Sequence, residues 1–451
     1  MDNAAIKNKK GDLTGGSIGK SLIFFFIPIL AGTWFQQLYN AVDAAIVGRF
    51  VGSEALAAVG GSAALILNLF IGFFIALSTG ATVVISHIFG ANEDGELGRA
   101  TGTATAFSLL FGLVCGAVCF IFAPKMLEIM KTPAETMDDA VVYLRICFAV
   151  TPAVLMLNTE SALLRAVGDS ARPFIFMAIA CVINIALDLL FIARFNWGVK
   201  GAALATVISQ CVNCLLLTVT LFTTKQPYKL KLKNIRLHRD MLKRMMRIGL
   251  PSGLEASMYS VSNMVIQVAV NSLGTIVVAS WSLSGKLDGF YWAMAQATNA
   301  AVMSFVGQNY GAGRHDRVHG CVKTGLKLFS IMTVVMSALI ITTAPQALKL
   351  FTREAEVIST TYTLVLYFVP FYFIWTAIET LSGTLRGCGD TKPIIITGVG
   401  ICLFRVFWVL VVYRLFPTLF CISISYVIAW SLTLAAMAVY YRRNARRQTG
   451  E

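Results

Sequence analysis

Long apolar stretches alternate with short polar breaks along almost the whole chain. Placing the breaks at glycine, proline and clusters of charge predicts twelve helices. Their approximate spans are 18–46, 54–87, 95–122, 136–166, 171–193, 199–223, 245–271, 275–308, 315–342, 356–386, 392–413 and 418–441. Each span offers the roughly 20 mainly apolar residues that a membrane-crossing helix needs, and the alternating segments of about 10 residues typical of membrane β-barrels do not occur. The pattern predicts an all-α polytopic membrane protein with twelve transmembrane helices.

The composition agrees with this pattern. Of the 451 residues, 57% are hydrophobic and 13% are charged, whereas soluble domains contain about 25% charged residues. The apolar excess extends from about residue 20 to residue 441, which leaves no room for a sizeable soluble domain.

The net charge of +14 raises the possibility of a nucleic-acid ligand, but the positions of the charges favour a membrane topology. With twelve helices, both termini lie on one side of the membrane. That side carries 25 Lys and Arg residues, against 8 on the other side. Because cytoplasmic loops are enriched in Lys and Arg, we expect both termini in the cytoplasm and no nucleic-acid partner.

Three pairs of similar segments are separated by nearly the same distance, between 220 and 223 residues. They are LLRAVGDSARP (163–173) with TLRGCGDTKP (384–393), HIFGAN (87–92) with QNYGAG (308–313), and Pro28 with Pro251. The period covers six helices, an even number, so both copies enter the membrane in the same orientation. This arrangement is the parallel type of transporter repeat.

We therefore predict two pseudo-symmetric six-helix lobes, an N-terminal lobe at 1–223 and a C-terminal lobe at 248–451. The basic segment 224–247 is the predicted cytoplasmic linker, and its partly amphipathic spacing suits the membrane surface. Two lobes that face each other enclose a central cavity, and rocking them alternates access to it.

The repeated Leu-Arg-x-x-Gly-Asp loop has two interpretations. In the structural one, the glycine ends a helix, the aspartate starts the turn or caps the next helix, and the arginine follows the charge rule. In the functional one, the arginine and the aspartate form a gate between the lobes.

Eight ionisable residues lie inside predicted spans, away from helix ends. They are Asp43, Glu160, Asp188, Glu255, Lys286, Asp288, Glu379 and Arg405. A charge at a helix centre costs about 2.5–3.5 kcal/mol on insertion scales, so each residue is a functional candidate. The alternative is that such a residue has a satisfied polar contact or lies nearer the membrane interface. For Glu160 and Arg405 we give this alternative the same weight as a functional role.

Three helices of the N-terminal lobe each carry a polar stripe at helical spacing. The stripes are Gln36, Asn40 and Asp43; Asn184 and Asp188; and Thr206, Gln210 and Asn213. Convergence of these stripes would gather the oxygen-bearing side chains of Asp43, Asn184, Asp188 and Thr206. Such a cluster can bind a metal cation through several oxygens, or hold a proton on a buried carboxyl group.

The C-terminal lobe does not copy this polar content. At the repeat offset, Asp188 corresponds to Trp408 and Asn184 to Phe404. The lobe instead combines acids with aromatic and methionine side chains, a mixture that suits amphipathic organic cations. The predicted substrate cavity comprises Gln36, Asn40, Gln210, Glu255, Tyr259, Asp288, Trp292 and Glu379.

Motifs for other functions are missing from the sequence. It has no G-x-S-x-G, no paired His/Asp metal motif and no phosphate-cradling glycine loop. Cys211 and Cys214 form a C-x-x-C inside an apolar helix, where packing is the better interpretation. We therefore predict that the protein is neither an enzyme nor an ATP-driven pump, and that it has no cofactor and no metal apart from a possible Na⁺.

The sequence resembles the multidrug and toxic compound extrusion (MATE) family, in its DinF-like prokaryotic branch. The similarity covers essentially the full length. It rests on QQLYNAVDAAIVGRFVG, GATVVISHIFGA, LRAVGDSARP, NIALD, GAALAT, LSGKLDGF, FVGQNYGAG and LRGCGDTKP.

The resemblance implies a secondary antiporter that exports cationic drugs in exchange for inward H⁺ or Na⁺. It implies a cation or proton site at Asp43, Asn184, Asp188 and Thr206, and a helix-bending role for Pro28. It also implies a multi-pass protein of the prokaryotic plasma membrane with small amphipathic substrates, and we expect a monomer.

Three points depart from the family pattern or stay open. The C-lobe acid of other branches lies about eight residues after the helix-seven proline, whereas Glu255 lies four residues after Pro251 and Tyr259 takes the later position. The alternative function is that of a flippase for lipid-linked saccharides, against which the acidic residues of the cavity argue. The sequence does not separate H⁺ from Na⁺.

Overall fold

The computed structural model describes residues 11–51 and 61–449, apart from the side chains of 44, 45 and 444–449. The first part of the predicted second helix, 54–60, lies outside the described residues. We number the helices by the predicted crossing to which each corresponds.

The helices follow one another with short connections. They are α1 (Ile18–Phe50), α2 (Ser62–Gly90), α3 (Asp94–Ile129), α4 (Ala134–Ala149 and Thr151–Ala166), α5 (Ala171–Asp188, continued by π-helical Leu189–Arg194), α6 (Gly198–Thr223), α7 (Arg239–Asn271), α8 (Thr275–Gly311), α9 (His315–Leu348), α10 (Ala355–Phe368, Val369–Phe371 and Tyr372–Gly387), α11 (Lys392–Phe407, Trp408–Val412 and Tyr413–Leu415) and α12 (Leu419–Thr449). All twelve predicted helices therefore have a counterpart, and the all-α fold class is confirmed.

Most of these helices can cross a membrane. Within the described part of the chain, nine helices are long and apolar enough, and the bent pair that forms α4 makes a tenth. The remaining two, α7 and α8, are 33 and 37 residues long, and they contain three of the intramembrane ionisable residues, Glu255, Lys286 and Asp288.

Two helices that the sequence predicted as continuous are broken, so that prediction was wrong in detail. The halves of α4 meet at Val150 and are bent by 52°, and Pro152 lies in the first turn of the second half. In α10 a 3₁₀ turn, Val369–Phe371, contains Pro370 and separates the two halves. Proline lacks the N–H that a continuing helix needs, but it fits the first turn of a new one.

The predicted linker is shorter than expected, because α7 begins at Arg239. The rest of the segment packs against α3. Gly102 of α3 lies directly against the backbone of Asn234, Thr103 Oγ1 lies 3.0 Å from His238 Nδ1, and Leu230 is buried. Surface association of the linker with the membrane stays a prediction.

The repeated Leu-Arg-x-x-Gly-Asp loops have the same backbone geometry in both copies. Gly168 and Gly389 both have φ of +80°, a left-handed conformation that glycine adopts without strain. The following aspartates each accept a backbone N–H at 3.2 Å from the start of the next helix, Asp169 from Arg172 and Asp390 from Lys392. The structural interpretation of the glycine and the aspartate is therefore confirmed.

The chain forms two compact units. The first comprises the described residues of Met1–Gly15, Phe24–Gly253 and Gly307–Gly313; the second comprises Gly16–Ile23, Leu254–Val306 and those of Arg314–Glu451. The lobe boundaries predicted from the sequence stay a prediction. In the first unit, a buried apolar cluster that includes Ile46, Tyr143, Phe148, Ile192 and Val199 joins α1, α4, α5 and α6.

Candidate functional site

Two carboxyl groups meet inside the first unit. Asp43 of α1 and Asp188 of α5 lie within hydrogen-bond distance of each other. Asp188 is completely buried, and one carboxyl oxygen of Asp43 is buried without a hydrogen-bond partner among the described residues. Two ionised carboxylates repel each other and neither has a hydrogen to donate, so this contact is favourable when one of the two groups carries a proton.

Asn184 lies one helical turn before Asp188 on the same face of α5, and it is also completely buried. Directly after Asp188 the helix widens into the π-helical segment Leu189–Arg194. Such segments are frequent at functional sites. However, α11 has the same feature at Trp408–Val412, so the π-helix belongs to the repeat and not to the carboxyl pair.

Thr206 of α6 joins the cluster through a residue that the sequence analysis missed. The Tyr39 hydroxyl donates to Thr206 Oγ1 at 3.2 Å. Tyr39 is also an electrostatic neighbour of both Asp43 and Asp188. Its position one turn before Asp43 is the signal that could have identified it.

A second missed residue is Tyr143 of α4, which lies near Asp43 and Tyr39. It is buried in the apolar cluster of the first unit, and Cys147 is its neighbour one turn later. Nothing in the sequence pattern singles out Tyr143, because α4 carries no polar stripe. The apolar cluster lies next to the carboxyl pair on this side, and apolar surroundings strengthen electrostatic interactions.

The other polar residues predicted in the first unit are more accessible. Gln36 and Asn40 on α1 are exposed, and Gln210 on α6 is half-buried. Pro28 lies inside α1, which continues through it as one helix from Ile18 to Phe50. The structure therefore gathers Asp43, Asp188 and Thr206 around Tyr39, while Gln36 and Asn40 stay outside this buried group.

The second unit holds a different arrangement of charge. Arg386 donates to Glu255 Oε2 at 2.5 Å. Asn299 of α8 donates to Glu379 Oε2 at 2.8 Å, and Glu379 is in turn an electrostatic neighbour of Arg386 and Glu255. Two acids thus share one arginine, which leaves an excess negative charge when both are ionised.

Aromatic side chains surround these acids. Trp375 packs against Trp292 at 5.3 Å and against Tyr259 at 5.9 Å between ring centroids. The buried Asp288 accepts from Ser284 and lies within hydrogen-bond distance of Tyr372. Lys286 is exposed on the other side of α8, where its amino group lies over the ring of Phe351.

Arg405 and Glu160 both have polar partners, as one of the two interpretations expected. Arg405 donates to Asn263 Oδ1 at 2.9 Å, and its guanidinium lies 4.1 Å from the ring centroid of Tyr426 and 4.8 Å from that of Tyr259. These contacts stabilise the buried guanidinium, which forms no ion pair among the described residues. Glu160 contacts Thr218 of α6.

The family model for MatE matches this chain twice, at residues 28–190 and 251–412. The two matches begin at the paired prolines and follow the internal repeat. The chain is 28% identical to the probable multidrug resistance protein YoeA of Bacillus subtilis over 380 residues, 83% of this chain and 82% of YoeA. It is also 28% identical to the probable multidrug resistance protein YpnP of the same organism, over 89% of this chain and 88% of YpnP.

A solved structure with a similar fold is the outward-facing conformation of a multidrug resistance MATE family transporter of the MOP superfamily. It superposes with a TM-score of 0.89 at 24% identity and covers 99% of this chain and 100% of its own. A second similar structure is a MOP superfamily transporter from Pyrococcus furiosus, described as having a binding pocket of reverse polarity, with the same TM-score and identity. These likenesses show the fold.

Proposed function

Because this chain belongs to the MatE family, we propose that it exports small amphipathic organic cations across the membrane in exchange for protons that enter the cell. The observation that carries the proposal is the close approach of the Asp43 and Asp188 carboxyl groups. One proton held between the two groups makes this contact favourable, and its loss leaves two like charges that repel each other. Proton binding and release can therefore bias the conformation of the surrounding helices.

The second unit supports the cationic character of the substrate. Its excess of acid over base at Glu255, Glu379 and Arg386 favours a positive charge. Trp292 and Trp375 offer aromatic faces next to it, and such faces attract organic cations. The relatives YoeA and YpnP carry names of multidrug resistance proteins, which fits an efflux role.

The charge distribution supports a multi-pass protein of the prokaryotic plasma membrane with both termini in the cytoplasm. We expect it to act as a monomer by alternating access, since the repeat gives each polypeptide two six-helix halves. A lipid-linked saccharide, the other substrate that we considered, carries an anionic phosphate group, which the acids of the second unit disfavour.

Sodium is the second candidate for the coupling ion. Asn184 and Thr206 could add amide and hydroxyl oxygens to those of Asp43 and Asp188, a set that suits a cation with oxygen ligands. The close approach of the two carboxyl groups to each other favours the proton.

The test is ethidium efflux from proteoliposomes under a pH gradient alone and under a Na⁺ gradient alone. We expect efflux with the pH gradient and little with Na⁺. Asp188→Asn should abolish gradient-driven efflux, whereas Glu128→Gln should not, because Glu128 is an exposed acid paired with Lys125. Efflux driven only by Na⁺ would overturn the proton assignment, and wild-type efflux from Asp188→Asn would overturn the role of the pair.

A further inference from the structure

Glu160 is a second buried carboxyl group in the first unit, and the proposed coupling at Asp43 and Asp188 does not use it. It is completely buried in the second half of α4. The Thr218 hydroxyl oxygen lies 2.9 Å from Glu160 Oε1 and 2.8 Å from Oε2. A hydroxyl has one hydrogen and can also accept. Both short contacts are satisfied when Thr218 donates to one oxygen and a protonated Glu160 donates back from the other.

The surroundings favour this protonated form. In the described part of the chain, no Lys, Arg or His forms an ion pair with Glu160, and its polar partner is Thr218. The neighbouring titratable group is Cys214 of α6, whose Sγ lies 3.9 Å from Thr218 Oγ1. On the α3 side, Ser108 donates to Thr159, the residue next to Glu160. An ionised carboxylate without a cation is unstable in such a place.

The fold does not require an acid at this position. At the repeat offset of 221 residues, fixed by the Leu-Arg pairs Leu164–Arg165 and Leu385–Arg386 a few residues later, Glu160 corresponds to Leu381. Leu381 is buried at the equivalent place in the second unit. The repeat therefore accommodates an apolar side chain here, and the first unit keeps a polar one.

The depth of Glu160 differs from that of the carboxyl pair. Helices α4 and α5 meet at the loop that contains Gly168, on the side where Gly11 packs against that glycine. Glu160 lies six residues before the end of α4 at Ala166, about 9 Å from this side. Asp188 lies 17 residues after the start of α5 at Ala171, about 26 Å from it. Glu160 is thus about 17 Å closer to the side that carries the N-terminal segment.

One row of α6 side chains spans this difference in depth. Thr206, Gln210, Cys214 and Thr218 follow one another at intervals of four residues, a spacing that places neighbours next to each other on a helix. The row begins at Thr206, which accepts from Tyr39 beside the carboxyl pair. It ends at Thr218, which contacts Glu160. Each member can donate or accept a hydrogen bond.

We propose that Glu160 and Thr218 form a second proton-binding site, through which a proton from the Asp43–Asp188 pair passes before it reaches the cytoplasm. In uptake, Thr218 gives its hydrogen to the Glu160 carboxylate and takes one from the α6 row, and Glu160 holds the proton as the neutral acid. In release, Glu160 gives its proton to Thr218 while Thr218 gives its own hydrogen to water on the cytoplasmic side, which restores the carboxylate. The inference rests on the proposed proton coupling.

The test combines transport with a direct measure of protonation. Ethidium efflux driven by a pH gradient is compared in wild type, Glu160→Gln, Thr218→Val and Thr220→Val. Thr220 is the matched control, because its hydroxyl donates to Leu216 O on its own helix and does not contact Glu160. Infrared difference spectra record the carbonyl stretch of a protonated carboxylic acid, and ethidium binding is measured separately.

We expect Glu160→Gln to slow turnover about 10²-fold, the lower end of the effect of removing a positioned proton-transfer group. Ethidium binding should stay unchanged, and the infrared band of Glu160 should disappear. Thr218→Val should shift that band and slow turnover less, and Thr220→Val should behave like wild type. If Glu160→Gln does not fold, Glu160→Leu, which introduces the residue type of the second unit, provides the same comparison.

Wild-type turnover in Glu160→Gln together with an unchanged infrared band would overturn the inference. This result differs from a failure of the proposed function, in which the wild-type protein itself shows no efflux driven by a pH gradient. In that case the infrared band of the wild type still decides whether Glu160 holds a proton, and its absence would overturn the site as well.

Discussion

The two units share their backbone devices but differ in their buried charge. Both have a left-handed glycine after the Leu-Arg pair and a π-helical segment near the end of the helix that follows. The first unit places Asp188 directly before its π-helical segment, whereas the second unit has Phe407 there, followed by Trp408. A repeat thus conserves backbone geometry, which the fold needs, and lets buried polar residues diverge.

The second unit shows the same divergence in its arginines. Arg386 pairs with Glu255, whereas Arg165, its counterpart in the first unit, makes no ion pair among the described residues. Arg405 is buried between Tyr259 and Tyr426. The first unit therefore places two buried acids next to each other, whereas the second places an acid against an arginine side chain.

The largest expected effect is a difference between substitutions of the acids in the two units. Asp43→Asn should lower efflux driven by a pH gradient by about 10²-fold or more, because the shared proton is lost. Glu379→Gln should keep the contact with Asn299 and retain coupling, but weaken ethidium binding about tenfold, near 1.4 kcal/mol. Flux and binding assays on reconstituted protein measure both. Equal loss of coupling in the two variants would contradict the division of roles.

The two arginines of the repeated loop should differ in their contribution to stability. Arg386→Gln leaves Glu255 in a mainly buried place without its cation, so we expect a loss of about 3 kcal/mol in the free energy of unfolding. Arg165→Gln removes no ion pair and should cost less than about 1 kcal/mol. Denaturant unfolding in detergent checks the difference. Similar losses would mean that the Glu255 contact contributes little.

Substituting the glycines of the same loops should cause smaller losses of stability, and the two units should both be affected. Alanine at φ +80° costs about 1–2 kcal/mol, so Gly168→Ala and Gly389→Ala should both destabilise the protein. Gly168→Ala should cost more than the backbone conformation alone, because its new Cβ would overlap the backbone of Gly11. The unfolding midpoints of the two variants measure this, and an unchanged midpoint in Gly168→Ala would be the contrary result.

The smallest expected effect concerns the hydrogen bond between Tyr39 and Thr206. Tyr39→Phe removes a hydrogen bond that contributes about 1 kcal/mol to the stability of the site. It should slow proton-driven efflux a few-fold. The matched control in the second unit is Tyr440→Phe, which removes a hydrogen bond of 2.7 Å to Asp390 Oδ2 away from any proposed site. Unchanged efflux in Tyr39→Phe would show that this contact does not position the cluster.

Much of the fold could be predicted from local pattern. The twelve helices followed from apolar length, and the repeat followed from matching strings, because both signals lie within short segments. The bend of 52° in α4 was missed, since Pro152 allows either a kink or a new helix start and packing selects between them.

The polar clusters were harder to predict. The stripe on α5 identified Asn184 and Asp188, but nothing local pairs Arg386 with Glu255, which is 131 residues away. Tyr39 and Tyr143 were missed because tyrosine in an apolar helix is common, and which face it turns inward depends on the rotation of the helix. The functional assignments of Asp43, Asn184, Asp188 and Thr206 stay predictions, although the structure places three of them around Tyr39.

The sequence by itself determined that this chain crosses a membrane many times, that it is built from two copies of six helices, and that one copy carries a carboxylate the other lacks. These properties depend on composition and spacing along the chain. The tertiary structure decided which polar side chains meet: Asp43 with Asp188, Thr206 with Tyr39, Glu160 with Thr218 and Glu255 with Arg386. These contacts depend on how helices distant in sequence rotate and pack, because a buried polar group needs a partner that only a neighbouring helix can supply.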